Sequence, residues 1–187
     1  MIKAKHIVLG VTGSIAAYKA AELLRLMRKR SWEVSVIMTR AATQFVGELT
    51  FRTLSGHPVV IEMFAETESW RPTHIALAEQ ADVLVIAPCT ANVIAKLAYG
   101  LADDALTATA LACRAPLVIA PAMNEGMWVH PATQENLLRL KTRGAVLVDV
   151  ERGELACGIH GQGRLAAPEA ILAALDKVLK PGGNTRA

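Results

Sequence analysis

The stretch "HIVLGVTGSIAAYKAAELLRLMRKR", residues 6–30, joins a strand pattern to a helix pattern through one short turn. Its first six residues are mostly β-branched or leucine and predict a strand, which the turn TGS ends. Apolar side chains then recur at Leu23, Leu26 and Met27, the spacing of one helical face. The helix closes on basic residues, as its dipole favours. A strand that feeds directly into a helix is the repeating unit of α/β folds.

The same alternation continues along the chain. Two later runs, "ADVLVIAP" and "APLVIAP", contain almost no polar residue, as expected for parallel strands that helices cover on both faces. We therefore predict a three-layer αβα, Rossmann-like fold with a mostly parallel central sheet. Residues 1–180 are expected to form one domain and residues 181–187 a frayed tail. Further strands are predicted at 33–39, 81–88, 115–121 and 145–150, and helices at 41–55, 90–113 with a break near Gly100, 131–143 and 168–179.

Composition restricts the classes to which the chain can belong. Hydrophobic residues make up 52% of the 187 residues and charged residues 20%, which indicates a globular protein. The net charge of +3 is too small to predict nucleic-acid binding. No run reaches the roughly 20 apolar residues of a membrane span, and no signal peptide is recognisable. Three cysteines without CxxC spacing favour a reducing, cytoplasmic location, and the histidines and acids lack the spacing of metal ligands.

Residues that follow the strands are the candidates for a binding site, because ligands of such folds lie at the carboxyl ends of the strands. After the first strand, Gly13 and Ser14 lead into a helix whose N-terminus favours a phosphate, although a simple tight turn is also compatible with them. After the second strand, Thr39 and Arg40 stand where an NAD-binding fold usually has an acidic residue. A hydroxyl and a guanidinium suit NADP or a mononucleotide better.

Two further strands end on polar residues. In "CTAN", residues 89–92, Thr90 and Asn92 can hydrogen-bond a ligand and Ala91 leaves room for a flat ring, while Thr90 can also act as a helix N-cap. In "PAMNEGMW", residues 121–128, Asn124 is either the N-cap of a following helix or a hydrogen-bonding group of a binding site.

A histidine and a cysteine are candidates for proton transfer. His74 lies just ahead of a predicted short helix and is either a surface residue or a general base with a nearly neutral pKa. Cys157 lies in "RGELACGIHGQGR", residues 152–164, a glycine-rich run that is either a mobile lid over a site or a loop with an incidental thiol. His160 shares that run, whereas Cys89 and Cys113 lie in or near apolar segments and are expected to be packing residues.

Four segments together resemble the flavin-dependent cysteine decarboxylases: "GVTGSIAAYK", "HIALAEQADVLVIAPCTANVIAKLAYGLADD", "PAMNEGMW" and "GELACGIHGQGRL". The resemblance runs from about residue 5 to residue 180. The first turn is shared with flavin prenyltransferases, whereas the last two segments are more specific. The most similar members act as carboxy-lyases on phosphopantothenoylcysteine in coenzyme A biosynthesis. In bacteria they are often fused to the ligase that makes this substrate, so the chain is expected to be a free-standing enzyme or one half of such a fusion.

The resemblance implies FMN as the cofactor and assigns roles to individual residues. His74 matches the base, Asn124 the residue that grips the substrate carboxylate, and Cys157 the proton donor. Ala41 would contact FMN through its backbone, because the family often has a hydroxyl residue there. Members assemble as trimers, often packed into dodecamers, with the active site at a subunit boundary, and a separate ligase is a possible partner. The residues expected at FMN are Gly13, Ser14, Ile15, Thr39, Arg40, Ala41, Thr90, Ala91, Asn92, Val93 and Ala122.

The implied chemistry begins with hydride removal from the carbon that bears sulfur, which gives a thioaldehyde. Carbon dioxide can then leave, an ene-thiolate remains, and the hydride is returned. Three alternatives stay open: a decarboxylase of C-terminal cysteines in peptides, a flavin prenyltransferase, and a flavin-binding subunit that inhibits a phosphatase. A prenyltransferase would not need Asn124 or Cys157. Regulatory relatives usually lack a reactive residue or carry long acidic tails.

Overall fold

The computed structural model describes residues 4–64, 71–154, 158 and 160–180. Its strands are β1 (His6–Val11), β2 (Glu33–Met38), β3 (Val59–Val60), β4 (Val83–Cys89), β5 (Leu117–Pro121), β6 (Val146–Leu147), β7 (Glu151–Glu154) and β8 (His160–Arg164). Its helices are α1 (Ala17–Lys29), α2 (Glu48–Ser55), α3 (Thr73–Gln80), α4 (Ala91–Tyr99), α5 (Ala105–Ala112), α6 (Glu125–Trp128), α7 (Pro131–Thr142) and α8 (Pro168–Val178), with a 3₁₀ turn at Ala42–Gln44.

Six strands form one sheet in the order β3-β2-β1-β4-β5-β6. Every neighbouring pair in this sheet is parallel, which confirms the predicted fold class and extends the mostly parallel sheet to a fully parallel one. The direction of winding reverses between β1 and β4, and such a switch point is where doubly wound folds bind ligands. Strands β7 and β8 form a separate antiparallel hairpin.

Both faces of the sheet are covered, as β1 illustrates. Ile7 and Leu9 pack into a core cluster with residues of α1, α2 and α8, whereas Val8 points to the opposite cluster with residues of α3, α4, α5 and α7. All three side chains are fully buried. Burying a side chain of this size contributes about 1.5–3 kcal/mol relative to leaving it exposed. Alternate residues of one strand thus stabilise two separate helical layers.

Glycine and aspartate residues set the helix ends near the site. Gly100 ends α4 with a left-handed φ of 72°, a conformation that glycine adopts without steric cost. Asp104 then caps α5 by accepting a hydrogen bond of 2.8 Å from the backbone N–H of Thr107. The predicted helix over 90–113 is therefore two helices joined by a short turn.

Other boundaries differ more from the sequence-based expectations. The strand predicted at 145–150 is only Val146–Leu147, and the equally short β3 was not predicted. The glycine-rich run 152–164, interpreted as a candidate mobile lid, contains strands β7 and β8. Glycine has low strand propensity, so the pattern gave no strand signal there. Within the described ranges, no helix is both long and apolar enough to cross a membrane.

Candidate active site

A buried threonine connects the two strands at the switch point. The hydroxyl of Thr12 donates a hydrogen bond of 2.7 Å to the carbonyl oxygen of Pro88 and accepts one of 3.1 Å from the backbone N–H of Thr90. Thr12 is fully buried, and its bond to Pro88 is shielded from water, whereas the bond from Thr90 is partly buried. They fix the turn after β1 relative to the turn after β4. Thr12 was not singled out from the sequence, although a polar residue that ends an apolar strand is the signal that could have identified it.

Gly13 lets the turn after β1 approach the turn after β2. A Cβ atom added at Gly13 would lie 2.5 Å from the Cβ of Ala41, closer than side-chain carbons pack. Thr39 extends the contact between the same strands, because its backbone N–H donates to the carbonyl oxygen of Val11 at 3.0 Å. Two of the predicted cofactor segments therefore form one continuous wall.

Two clefts open at this edge of the sheet. Cleft A has a volume of about 760 Å³ and cleft B one of about 720 Å³. Gly13, Thr90 and Met127 line both, so the two clefts adjoin each other. Cleft A is also lined by Ser14, Ile15, Ala91, Ala122, Met123, Asn124, Glu154, Gly158 and Arg164. Cleft B is also lined by Thr39, Arg40, Ala41, Glu62, Asn92, Val93, Lys96, Asp103 and Asp104. Every residue predicted to contact the cofactor therefore lies along one of these two clefts.

Two helices begin at cleft A. Thr90 caps α4, since its hydroxyl oxygen accepts a hydrogen bond of 3.4 Å from the backbone N–H of Val93, as the N-cap interpretation predicted. At the start of α1, the hydroxyl of Ser14 accepts from the N–H of Ala16 at 3.3 Å. The partial positive charge of two helix N-termini is therefore directed at the same region, which favours an anionic ligand group.

Asn124 is a helix N-cap and also part of the wall of cleft A. Its Oδ1 accepts a hydrogen bond of 2.8 Å from the backbone N–H of Gly126 at the start of α6. Two residues earlier, the N–H of Ala122 donates to the carbonyl oxygen of Cys89 at 3.2 Å, which holds the end of β5 against β4. The cap uses the amide oxygen, whereas the Nδ2 atom is the donor group that suits a carboxylate. The structure therefore confirms the N-cap interpretation of Asn124, and its role toward a ligand stays a prediction.

The hairpin of β7 and β8 is fastened to the segment around Asn124. The carboxylate of Glu125 accepts a hydrogen bond of 3.0 Å from the N–H of Gln162, and the N–H of Met123 donates to the carbonyl oxygen of Gly163 at 2.9 Å. A Cβ added at Gly163 would lie 2.3 Å from the carbonyl oxygen of Met123, and one at Gly161 would lie 2.5 Å from Glu125 Oε2. Gly163 is needed for this close approach to backbone, whereas the Glu125 side chain could move away from a Cβ at position 161. The two hydrogen bonds hold the described strands of the hairpin in place. No sequence pattern indicated this role for Glu125.

Of the two residues predicted to transfer protons, the structure describes only His74. Cys157 lies outside the described residues, although Glu154 and Gly158, which flank it in the chain, both line cleft A. His74 lies in the first turn of α3 and lines neither cleft. Its Nδ1 is buried and has no hydrogen-bond partner among the described residues. The roles predicted for His74 and Cys157 in proton transfer therefore stay predictions.

The cations of cleft B face carboxylates of the same chain. Arg40 forms a bidentate ion pair with Glu62, and these hydrogen bonds lower the pKa of the Glu62 carboxyl. Lys96 pairs with Asp103 and Asp104, and its hydrogen bond to Asp103 raises the pKa of the Lys96 ammonium. Arg40, for which a phosphate contact is predicted, is therefore paired with Glu62 in this structure. In the part of the chain that the structure describes, no three His, Cys, Asp or Glu side chains are grouped to hold a metal ion.

A doubly wound parallel sheet, with a groove at its switch point that two helix N-termini face, defines a Rossmann-like protein that binds a nucleotide cofactor. The model of the Flavoprotein family matches residues 1–180, and the chain belongs to that family. The family expected from the four sequence motifs is thereby confirmed.

Individual relatives agree with this membership. The coenzyme A biosynthesis bifunctional protein CoaBC of Haemophilus influenzae is 45% identical over 174 residues, which cover 93% of this chain and 44% of that protein. The chain thus spans less than half the length of this curated relative. Among solved structures, a cysteine-to-serine mutant of PPC decarboxylase complexed with pantothenoylaminoethenethiol is 32% identical with a TM-score of 0.84, covering 93% of this chain and 97% of its own. The FMN-dependent cysteine decarboxylase SpaF is 34% identical with a TM-score of 0.76, covering 91% and 97% of the two chains.

Proposed function

We propose that this chain is an FMN-dependent carboxy-lyase that converts phosphopantothenoylcysteine to phosphopantetheine in coenzyme A biosynthesis. The observation that carries the proposal is that Asn124 lines one of the two adjoining clefts along which all the predicted cofactor residues lie. The names of the bifunctional relative and of the PPC decarboxylase structure support the same substrate. A ligase partner, fused or separate, belongs to the proposal, since the relative that matches this chain is bifunctional. Cysteine usage supports a cytoplasmic location.

The residues present fit a flavin mononucleotide. Each cleft has the volume of a typical cofactor site, and Gly13 permits a close approach of backbone to ligand. The N-termini of α1 and α4 supply N–H groups for a phosphate or for polar atoms of the ring. Exposed Ile15 and Met127 offer apolar surface for a flat ring. When bound, FMN would supply a reversible acceptor for the hydride of the substrate.

Asn124 is the group proposed to orient the substrate carboxylate. Its cap bond to Gly126 fixes the amide plane, and the amide carries no charge that would stabilise the carboxylate more than the transition state. Carbon dioxide leaves from this position once the neighbouring carbon bears a C=S group that accepts the electron pair. Asn124 would therefore orient the carboxylate without stabilising the bound substrate more than the transition state.

Cys157 is proposed to supply the proton that completes the cycle after carbon dioxide has left. A thiol has an ordinary pKa of about 8.5, which suits a donor near neutral pH. The compound in the cysteine-to-serine mutant of PPC decarboxylase is an ethenethiol, which supports this order of events. Glu154 and Gly158 line cleft A on either side of Cys157 in the chain, which supports a location near the substrate.

His74 is proposed to remove the first proton from the substrate of a neighbouring copy in a trimer or a larger assembly. Two observations support action across a subunit boundary. His74 lines neither cleft of its own chain, and its buried Nδ1 has no partner among the described residues. The rim of cleft A carries large exposed apolar side chains, Tyr18 at 61% and Met127 at 49% exposure, which a second copy would cover.

The deciding experiment uses the purified protein. We expect a yellow protein that releases FMN on acid treatment and releases carbon dioxide when phosphopantothenoylcysteine is added. A peptide that ends in cysteine, tested in parallel, distinguishes the two decarboxylase substrates. Release of carbon dioxide from the peptide but not from phosphopantothenoylcysteine would show that the protein is a peptide decarboxylase. A yellow protein that decarboxylates neither compound would favour a binding role.

A further inference from the structure

Among the residues that the structure describes, cleft B is lined by more negative than positive side chains. Arg40 donates from Nε and from a terminal nitrogen to the two carboxylate oxygens of Glu62, both at 2.6 Å. Lys96 lies 2.7 Å from a carboxylate oxygen of Asp103 and 3.1 Å from one of Asp104. Two cations thus face three carboxylates. A phosphate dianion that binds here must compete with carboxylates of the protein itself.

The two cations differ in how easily they can change partner. Arg40 follows β2 and Glu62 follows the neighbouring strand β3, so their pair spans the mouth of the cleft with side chains 81% and 47% exposed. The side chain of Lys96 is only 18% exposed and bonds Asp104, the residue that caps α5. A guanidinium binds carboxylate and phosphate with the same bidentate geometry. Arg40 can therefore turn from Glu62 to a phosphate without leaving water, whereas Lys96 is part of the fold.

We propose that Glu62 competes with the phosphate of FMN for Arg40 and thereby limits how strongly the cleft prefers FMN over riboflavin, which has no phosphate. This inference rests on the proposed function. Binding of FMN exchanges one ion pair of Arg40 for another and brings the phosphate near the Glu62 carboxylate. Binding of riboflavin leaves the pair intact. Glu62 therefore weakens the affinity for FMN alone and acts as a specificity-determining residue.

The test is equilibrium dialysis of the full chain against FMN and, in parallel, against riboflavin at low ionic strength. Glu62→Gln should bind FMN about two- to fivefold more tightly, the range expected for an exposed ion pair, and riboflavin with unchanged affinity. The gain should shrink at high salt, because an exposed pair is screened. Asp103→Asn is the matched control, since it removes a carboxylate from the same cleft but leaves the Arg40–Glu62 pair intact. An equal gain in this control would assign the effect to net charge and overturn the proposal.

Arg40→Gln supplies the second arm of the test. It should weaken binding of FMN but not of riboflavin, and in its background Glu62→Gln should give no further gain. A gain that persists without Arg40 would contradict competition for the guanidinium. Wild-type protein that binds FMN and releases carbon dioxide, together with a Glu62→Gln variant of unchanged FMN affinity, overturns this inference and leaves the proposed function intact. Wild-type protein that binds neither flavin overturns both.

Discussion

Asn124 Oδ1 accepts a hydrogen bond of 2.8 Å from the backbone N–H of Gly126, while the same side chain lines cleft A. The bond satisfies one of the N–H groups that a helix start leaves unpaired. An aspartate can make the same bond, because its carboxylate oxygen is an equally good cap acceptor. A substitution at this position therefore separates the structural contribution of the residue from its role toward a ligand.

Asn124→Asp should leave the free energy of unfolding within about 0.5 kcal/mol of wild type and should retain the flavin. Decarboxylation should fall on the order of a hundredfold or more, because two carboxylates in a partly desolvated site repel each other. Urea unfolding and the rate of carbon dioxide release are the two measurements. Normal turnover in a folded variant would show that Asn124 is only a cap.

Thr12→Val should destabilise the protein and weaken flavin binding together. The substitution removes the hydroxyl that bonds Pro88 and Thr90 and leaves these buried groups without their partner, at a cost of about 1–3 kcal/mol per unsatisfied group. Thr12→Ser keeps the hydroxyl and should lose much less stability. Equal losses in the two variants, measured by urea unfolding, would mean that the methyl group matters and the hydrogen bonds do not.

Gly13→Ala should abolish or strongly weaken FMN binding, because the new Cβ would overlap Ala41 and push apart the two turns that form the common wall. Gly47→Ala is the control, since an added Cβ there meets nothing within 4 Å and its φ of −69° suits any residue. Flavin content after purification and dialysis is the readout. Full flavin content in Gly13→Ala would remove the argument for close approach at this turn.

Cys157→Ser should stop the reaction after decarboxylation. A hydroxyl is a far weaker acid than a thiol, so the last proton transfer should fail while the earlier steps proceed. One turnover should release about one carbon dioxide per site, decrease the visible flavin absorbance and leave an ene-thiol product in mass spectra. His74→Asn should instead show no absorbance decrease. Normal formation of the saturated thiol by Cys157→Ser would show that the thiol is incidental.

Cys89 should make the protein less stable at high pH. Burial raises the pKa of its thiol far above the ordinary value of about 8.5, so above about pH 9 the unfolded chain loses this proton while the folded chain keeps it. The unfolded state then binds fewer protons than the folded state. Ionisation of Cys89 in the unfolded chain therefore lowers the free energy of unfolding by about 1.4 kcal/mol per pH unit. Unfolding at pH 8, 9 and 10 in wild type and Cys89→Ala measures this slope. The same slope in both proteins would assign the loss to other groups.

The sequence predicted the buried elements well because their patterns are strong. Strand β1 was predicted with its observed bounds, and β4 and β5 were recognised from their nearly unbroken apolar composition. Gly100 marked the break in the helix predicted over 90–113, because glycine accepts its positive φ without steric cost. Such local patterns depend on burial and on backbone geometry, and both can be inferred from the types of a few neighbouring residues.

The features that the sequence did not predict depend on contacts between residues far apart in the chain. The strands of the hairpin are held by Glu125 and by close packing at Gly161 and Gly163. The glycine content of this segment alone had suggested that it would be mobile. The pairing of Arg40 with Glu62 joins residues that follow two different strands. The residues that line the clefts could be predicted because ligand sites of such folds lie after the strands. The ion-pair partners of their charged groups could be identified only from the structure.

The central sheet ends on both sides in a strand of only two residues, β3 and β6. Such short edges offer few unpaired N–H and C=O groups to a passing strand from another molecule. The six-stranded sheet is thereby protected against growing by edge-to-edge addition and against the aggregation that such growth begins. An assembly of copies can therefore form at the clefts without extending this sheet.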